Sequence, residues 1–376
     1  MAKDLWFEPA EYAARLDRVQ QRVRERGHDA LLAFQPESVT WVTGFYTRGY
    51  TSFQCAIVPA SGEPTIVCRD VEAYYLDATC AFGGHSFWRD GETPIKVAAD
   101  TVLELLGPSP DLAIELAAWP LSTARFAALR ALLPAARWAD ADDLVGALRL
   151  VKSPAEVAYQ RRAGRAAEAG MQAAVESAGV GVSEREMAAE ICATMIRAGS
   201  DLAGPGVMAS GERALHLHGS YGDRVLERGD IVQIETIPCV RHYHARFMRP
   251  IRVAVATDAD FAVVERLIAI QDAALAEVRP GVPAAVPDRL YREGVLAAGL
   301  RETYTNKTFY SVGLMFPPTS GEPLDAAPGC DWTFEPGMTF HTYVLARGFG
   351  MSETIHVTGE GYERLTNFAR RLLVTS

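Results

Sequence analysis

Apolar residues recur at three- and four-residue spacing through Tyr12, Leu16, Val19 and Val23. That is the period of one helix face, and Gly27 supplies the stop. The apolar run Ala30 to Phe34 reads as a buried strand. Two further strands, Phe53 to Pro59 and Pro64 to Cys68, flank the turn Ala60-Ser61-Gly62-Glu63. Helix, strand and hairpin alternate to about residue 145, which predicts a compact α/β domain.

A sharp boundary follows. In Ser153-Pro154-Ala155-Glu156 a serine N-cap, a proline at the first helical position and a glutamate at the third form a capping box. A long helix to about Ser177 is expected. Ser183 and Glu186 repeat the signal, with a helix running to Ala198 and Gly199 as its left-handed stop. Strands are predicted around Ala214 to His218, Ile231 to Ile237 and Tyr243 to Val253, and helices over Asp258 to Val278 and Val286 to Ala298. Glu335-Pro336-Gly337 marks a turn before a strand from Met338 to Leu345. The expected domains are residues 1–148 and 149–376 of an α/β (α+β) protein.

Composition narrows the function classes. A length of 376 residues with 49% hydrophobic content suits two domains with sizeable cores. The net charge of −10, without any Lys/Arg block, argues against nucleic acid as a partner. No apolar run is long enough to span a bilayer, so no membrane association is expected. The N-terminal residues lack the pattern of a secretory signal. The six cysteines show no CxxC spacing and read as reduced thiols of a cytoplasmic protein.

Several segments together resemble the creatinase/aminopeptidase P family, whose catalytic domain has the pita-bread fold. They are Arg149-Leu150-Val151-Lys152-Ser153-Pro154-Ala155-Glu156, Gly229-Asp230-Ile231-Val232, Glu335-Pro336-Gly337-Met338, and Val357-Thr358 with Gly361-Tyr362-Glu363-Arg364-Leu365-Thr366. The resemblance covers nearly the whole chain. It implies a C-terminal pita-bread domain, a smaller creatinase-type N-terminal domain, a small-molecule substrate and a homodimer.

The chemistry departs from the metallopeptidases of that family. Their five metal-ligand positions fall, by offset from these landmarks, on Glu235, Arg246, Tyr310, Tyr343 and Ser352. One carboxylate remains, and a guanidinium stands where cations would bind, so neither metal nor another cofactor is expected. His218 matches the acid/base histidine of the metal-free creatinases. Cys239 to Arg246, Tyr310-Ser311-Val312-Gly313, Phe316-Pro317-Pro318, Gly321-Glu322, Phe340-His341 and Gly350 to Thr354 look more like the ectoine-hydrolase-like branch. That branch opens a small cyclic amidine carboxylate. Thr319-Ser320 stands where that motif carries a tryptophan, so the resemblance does not name the substrate.

Metal-free cleavage of an amide or amidine C–N bond needs a proton shuttle, stabilisation of developing charge and protonation of the departing nitrogen. His218 is the expected shuttle. Glu235 and Glu353, with Glu322 beside them, are candidates to orient a cationic substrate. Tyr310 and Tyr343 can donate hydrogen bonds to developing negative charge or simply pack. Arg246 suits a substrate carboxylate. His244 and His341 are candidate lining residues, and Arg48 could reach in from the N-terminal domain of a partner subunit. His216 shares strand spacing with His218, as His242 does with His244, but both read as structural. A mononuclear metal on His218, His244 and His341 remains an alternative. Three functions stay open: a C–N hydrolase, a cyclase or lyase using the same acid/base group, and a non-catalytic binding protein; the replaced ligand positions disfavour a fourth, a metallo Xaa-Pro peptidase.

Overall fold

A computed structural model describes residues 3–202 and 204–375. The chain folds as two compact units, Met1–Arg149 and Leu150–Ser376. Among the described residues no helix is long and apolar enough to cross a membrane.

The first unit is built on a six-stranded mixed sheet. Its order is Gly84–Trp88, Thr65–Arg69, Cys55–Pro59, Ala30–Ala33, Asp111–Ile114 and Arg137–Asp140. The hairpin expected around residues 60–63 is present, with Cys55 opposite Val67. Helix Pro9–Glu25 buries Tyr12, Leu16, Val19 and Val23, the stripe that its spacing predicts. Leu32, Phe34, Ile57, Val67, Val102, Leu112 and Leu129 lie in one apolar core.

In the second unit the helix Pro154–Ser177 begins at Ser153 with both arms of the capping box formed. Helix Glu184–Arg197 begins at Ser183 in the same way. Both pack on a sheet ordered Phe247–Met248, Ile231–Thr236, Ile251–Arg252 and Leu373–Val374, with Val207–Ser210 also paired to Ile231–Thr236. Met171, Met187, Ile191, Met195, Val232 and Ile234 share this core. Because neighbours on a strand point to opposite faces, burying Val232 and Ile234 against the helices turns Gln233 and Glu235 the other way.

Helices Asp258–Leu275 and Ala285–Ala297 cover a second sheet ordered Asp325–Ala326, Phe309–Ser311, Thr339–Ala346, Phe349–Val357 and Tyr362–Arg364. Its central hairpin pairs His341 with Thr354 and Tyr343 with Ser352. Phe340, Val344, Met351 and Ile355 enter the core with Leu267 and Tyr291. His341, Tyr343 and Ser352 therefore occupy the opposite face, the face that looks towards Glu235.

Two predicted strands take other forms. Residues 214–218 are not a strand; a single 3-10 turn spans Gly211–Leu215, and the strand lies earlier, at Val207–Ser210. The reason is one buried side chain. Glu184 accepts the Ser210 N–H at 2.8 Å, the Ser210 hydroxyl at 2.6 Å and the Gly222 N–H at 2.8 Å, and pairs with Arg213. These bonds draw the segment into a loop instead of a ladder. The predicted strand over Tyr243 to Val253 is broken into Tyr243–His244, Phe247–Met248 and Ile251–Arg252. Pro250, which has no N–H to donate, sits in the last break.

Candidate functional site

A cavity of about 800 Å³ lies between the two sheets of the second unit. Glu235 projects from Ile231–Thr236 and Arg246 from the link between two short strands. Tyr310 comes from Phe309–Ser311, and His341 and Tyr343 from Thr339–Ala346. All five line the cavity, together with His218 and Glu322.

Glu235 Oε1 stands 3.0 Å from Arg246 Nε and 3.5 Å from His341 Nε2. Both side chains of the ion pair are almost fully buried, yet neither Glu235 Oε1 nor Arg246 Nε makes a hydrogen bond to a described residue. Arg246 donates from Nη1 to the Tyr310 hydroxyl at 2.8 Å and to the Ser320 carbonyl at 2.9 Å. His341 Nδ1 is 2.7 Å from the same Tyr310 oxygen, and its Nε2 is 2.8 Å from Ser352 Oγ. Tyr343 stacks on His341 with ring centroids 5.4 Å apart.

Electrostatics follow from burial. Loss of solvent pushes the Glu235 carboxyl up, opposed mainly by the neighbouring Arg246 guanidinium. Burial and the neighbouring Arg246 hold His341 well below the usual imidazole range, so it is neutral. Burial, reinforced by Glu235, raises Tyr310 well above its ordinary value and Tyr343 to about 12, so both phenols keep their protons.

His218 sits on an exposed turn with φ of +63°. It makes no hydrogen bond to a described residue. The shared-face expectation for His216 and His218 therefore fails, since neither lies on a strand. Gly219, next in the chain, is tightly placed: a Cβ there would come within 2.5 Å of the Ala209 Cβ. Glu184, through its bonds to residues 210, 213 and 222, holds the loop that presents His218.

Three candidates change role. Glu353 does not line the cavity. It lies one residue beyond Ser352 and so points to the other face of its strand. There its carboxylate accepts Arg249 Nη2 at 2.7 Å and the Thr366 hydroxyl at 2.7 Å, with Arg370 3.5 Å away. Burial pushes this carboxyl up against the pull of Arg249. His244 is also outside the cavity lining. Its Nε2 meets the Met315 carbonyl at 3.2 Å, and burial with Arg246 and His242 lowers it to about 3. His242 lies outside the strand at φ +59° and stacks on Phe316, as a structural residue would. Glu322 lines the cavity, but its charge is neutralised by Lys152, and both side chains are only 1% exposed. The pair also explains Gly313, where a Cβ would fall 2.5 Å from Glu322 Oε1. Arg48 is an exposed residue of the first unit.

The positions aligned with metal ligands do converge. Glu235, Arg246, Tyr310 and Ser352 are joined through His341, and Tyr343 stacks on it. As a donor set they do not suit a dinuclear metal: one carboxylate, a guanidinium, two protonated phenols and a hydroxyl. The guanidinium already holds the carboxylate. The three-histidine alternative also fails, because His244 turns away. Among the described residues no three His, Cys, Asp or Glu side chains gather to hold a metal ion. Sequence reasoning missed Lys152 as the partner of Glu322, and missed Met248 and Lys307 in the lining. It identified Ser352 only as a ligand position; its place on the same strand face as His341's contacts was the available signal.

A model of the metallopeptidase family M24 matches residues 158–360, and one of the creatinase/prolidase N-terminal domain matches residues 15–151. An uncharacterized hydrolase/peptidase of Sinorhizobium fredii is 28% identical over 98% of this chain and 99% of its own. Ectoine hydrolase of Halomonas elongata is 26% identical over 98% of both chains. The crystal structure of dipeptidase PepE from Mycobacterium ulcerans matches with a TM-score of 0.85 at 25% identity, covering 98% of this chain and 99% of that one.

Proposed function

The chain belongs to the metallopeptidase family M24, a family of pita-bread hydrolases, and from that premise we propose that it cleaves a C–N bond of a small zwitterionic substrate without a metal. One observation carries the reading. A buried carboxylate and guanidinium stand 3.0 Å apart in the cavity as an ion pair, and among the described residues neither Glu235 Oε1 nor Arg246 Nε meets hydrogen-bond geometry with any partner. An ion pair without directed hydrogen bonds keeps donor and acceptor capacity that a polar ligand can take up. A molecule with one cationic and one anionic end matches both: its amidinium or guanidinium pairs with Glu235, and its carboxylate pairs with Arg246.

Each chemical service then has a residue. His218 takes a proton from water as the oxygen attacks the substrate carbon, and returns it to the nitrogen as the C–N bond breaks. Neutral phenols at Tyr310 and Tyr343 donate hydrogen bonds to charge that develops on the attacked carbon's substituent. Desolvation by the cavity walls strengthens the contacts made by the buried Glu235, Arg246 and Tyr343. The ectoine hydrolase relative supports hydrolysis by its name. The dipeptidase likeness supports a peptidase as the second reading.

The test is a substrate panel with cyclic amidino acids, guanidino acids and dipeptides, each assayed with and without added Mn²⁺ or Zn²⁺. His218→Asn should lower turnover of the cleaved amidine or guanidino acid by about 10²–10⁴-fold while thermal stability is unchanged. Cleavage of dipeptides alone, or an unimpaired His218→Asn enzyme, would overturn the reading.

A further inference from the structure

The hydrogen bonds behind the cavity wall determine where protons lie, and they do so without reference to any substrate. The Met248 backbone N–H donates to Ser352 Oγ at 2.7 Å. The hydroxyl proton of Ser352 then has one acceptor among the described residues, His341 Nε2 at 2.8 Å. Ser352 is completely buried, so a proton turned elsewhere would be left unsatisfied, at a cost of about 1–3 kcal/mol. Glu235 Oε1 is 3.5 Å from the same ring nitrogen, beyond an ordinary N–H···O bond. His341 Nε2 is therefore an acceptor.

A neutral imidazole that accepts at Nε2 carries its proton on Nδ1. That proton points to the Tyr310 oxygen 2.7 Å away, which also receives Arg246 Nη1–H at 2.8 Å. Both acceptor sites of the phenol oxygen are filled. Its own proton finds no acceptor among the described residues, and Tyr310 lines the cavity.

We infer that the Met248–Ser352–His341 chain commits Tyr310 to donate its hydroxyl proton into the cavity, making it the catalytic hydrogen-bond donor to an oxygen of the bound ligand. Ser352, behind the cavity lining, and His341 act here as positioning residues: together they fix the imidazole tautomer. The Arg246 charge on the same oxygen polarises the donor further. The ligand class follows. At this corner it must present an oxygen acceptor, a carboxylate or a carbonyl that becomes an oxyanion, and an N–H group there is rejected because it would face a donor. This deepens the reading of the cavity as a substrate site and rests on it.

The experiment separates the two claims. Selective ¹⁵N labelling of histidine and long-range ¹H–¹⁵N NMR, with His341 assigned from a His341→Gln spectrum, report its tautomer directly. The expected state is Nδ1–H in the wild type and in Ser352→Thr, shifting towards Nε2–H in Ser352→Ala. Acetate serves as the oxygen-acceptor probe, and Tyr310→Phe should bind it at least tenfold more weakly than the wild type. On any substrate that is turned over, Tyr310→Phe should lower kcat by about 10²–10³-fold and change KM far less. An Nε2–H tautomer in the wild type, no acetate binding, or equal binding by Tyr310→Phe would overturn the inference. Absence of C–N cleavage, with the tautomer and acetate results as expected, would instead remove the proposed reaction and leave the donor assignment standing.

Discussion

Arg246→Met tests the charge pair at the centre of the site. At 3.0 Å, and with an effective dielectric constant of about 20, the attraction between Arg246 and Glu235 is roughly 5–6 kcal/mol. Desolvation offsets part of that. Removing one partner of a buried pair while leaving the other charged costs about 3–5 kcal/mol. For a unit of this size each kcal/mol shifts Tm by about 2–4 °C, so the variant should melt about 6–20 °C below the wild type at pH 8. The deficit has a direction in pH. Burial already pushes the Glu235 carboxyl up, and losing the guanidinium pushes it further. A carboxyl whose folded pKa exceeds its unfolded value favours folding at low pH, and that advantage is lost as pH rises through the folded pKa. The gap between variant and wild type should therefore narrow from pH 8 to pH 5. Glu235→Gln added to Arg246→Met should recover most of the loss at pH 8. Melting curves followed by circular dichroism at both pH values provide the assay. A gap that does not change with pH, together with a double variant no more stable than the single one, would refute the reasoning.

Other consequences are local. Glu184→Gln weakens a carboxylate that receives four donors from the His218 loop; hydrogen exchange over residues 207–222 should rise while exchange in helix 258–275 stays unchanged, and equal protection in the loop would contradict the role given to Glu184. Glu115, in the first unit, accepts the backbone N–H groups of Phe34 and Gln35, and burial pushes its carboxyl up to about 7. Its protonation favours folding below the unfolded carboxylate range, and this is lost as pH rises through about 7; Glu115→Gln should remove that slope, on the order of 3 kcal/mol, from urea denaturation measured between pH 5 and pH 8.

What the sequence revealed depended on how local the determinant was. The two capping boxes need only four consecutive residues, and Ser153–Glu156 and Ser183–Glu186 form as their spacing predicts. The alternation Leu215-His216-Leu217-His218 looks equally local but is misleading, because Glu184, some thirty residues earlier, ties down Ser210, Arg213 and Gly222 on either side of it. At the site, offsets from Gly229-Asp230, Gly313 and Glu335 point to Glu235, Arg246, Tyr310 and Tyr343, all of which line the cavity. Glu353 was a candidate through adjacency to Ser352, and strand alternation places the two on opposite faces. Lys152 could not be paired with Glu322 from the chain alone, since 170 residues separate them.

The most direct measurement is turnover of the cleaved substrate before and after exhaustive dialysis against a strong chelator, with metal content determined on the same samples. Full activity at far less than one equivalent of any divalent metal is the expected result, with Glu235, Arg246 and His218 each required. Activity that disappears on chelation and returns with a stoichiometric dication would contradict it.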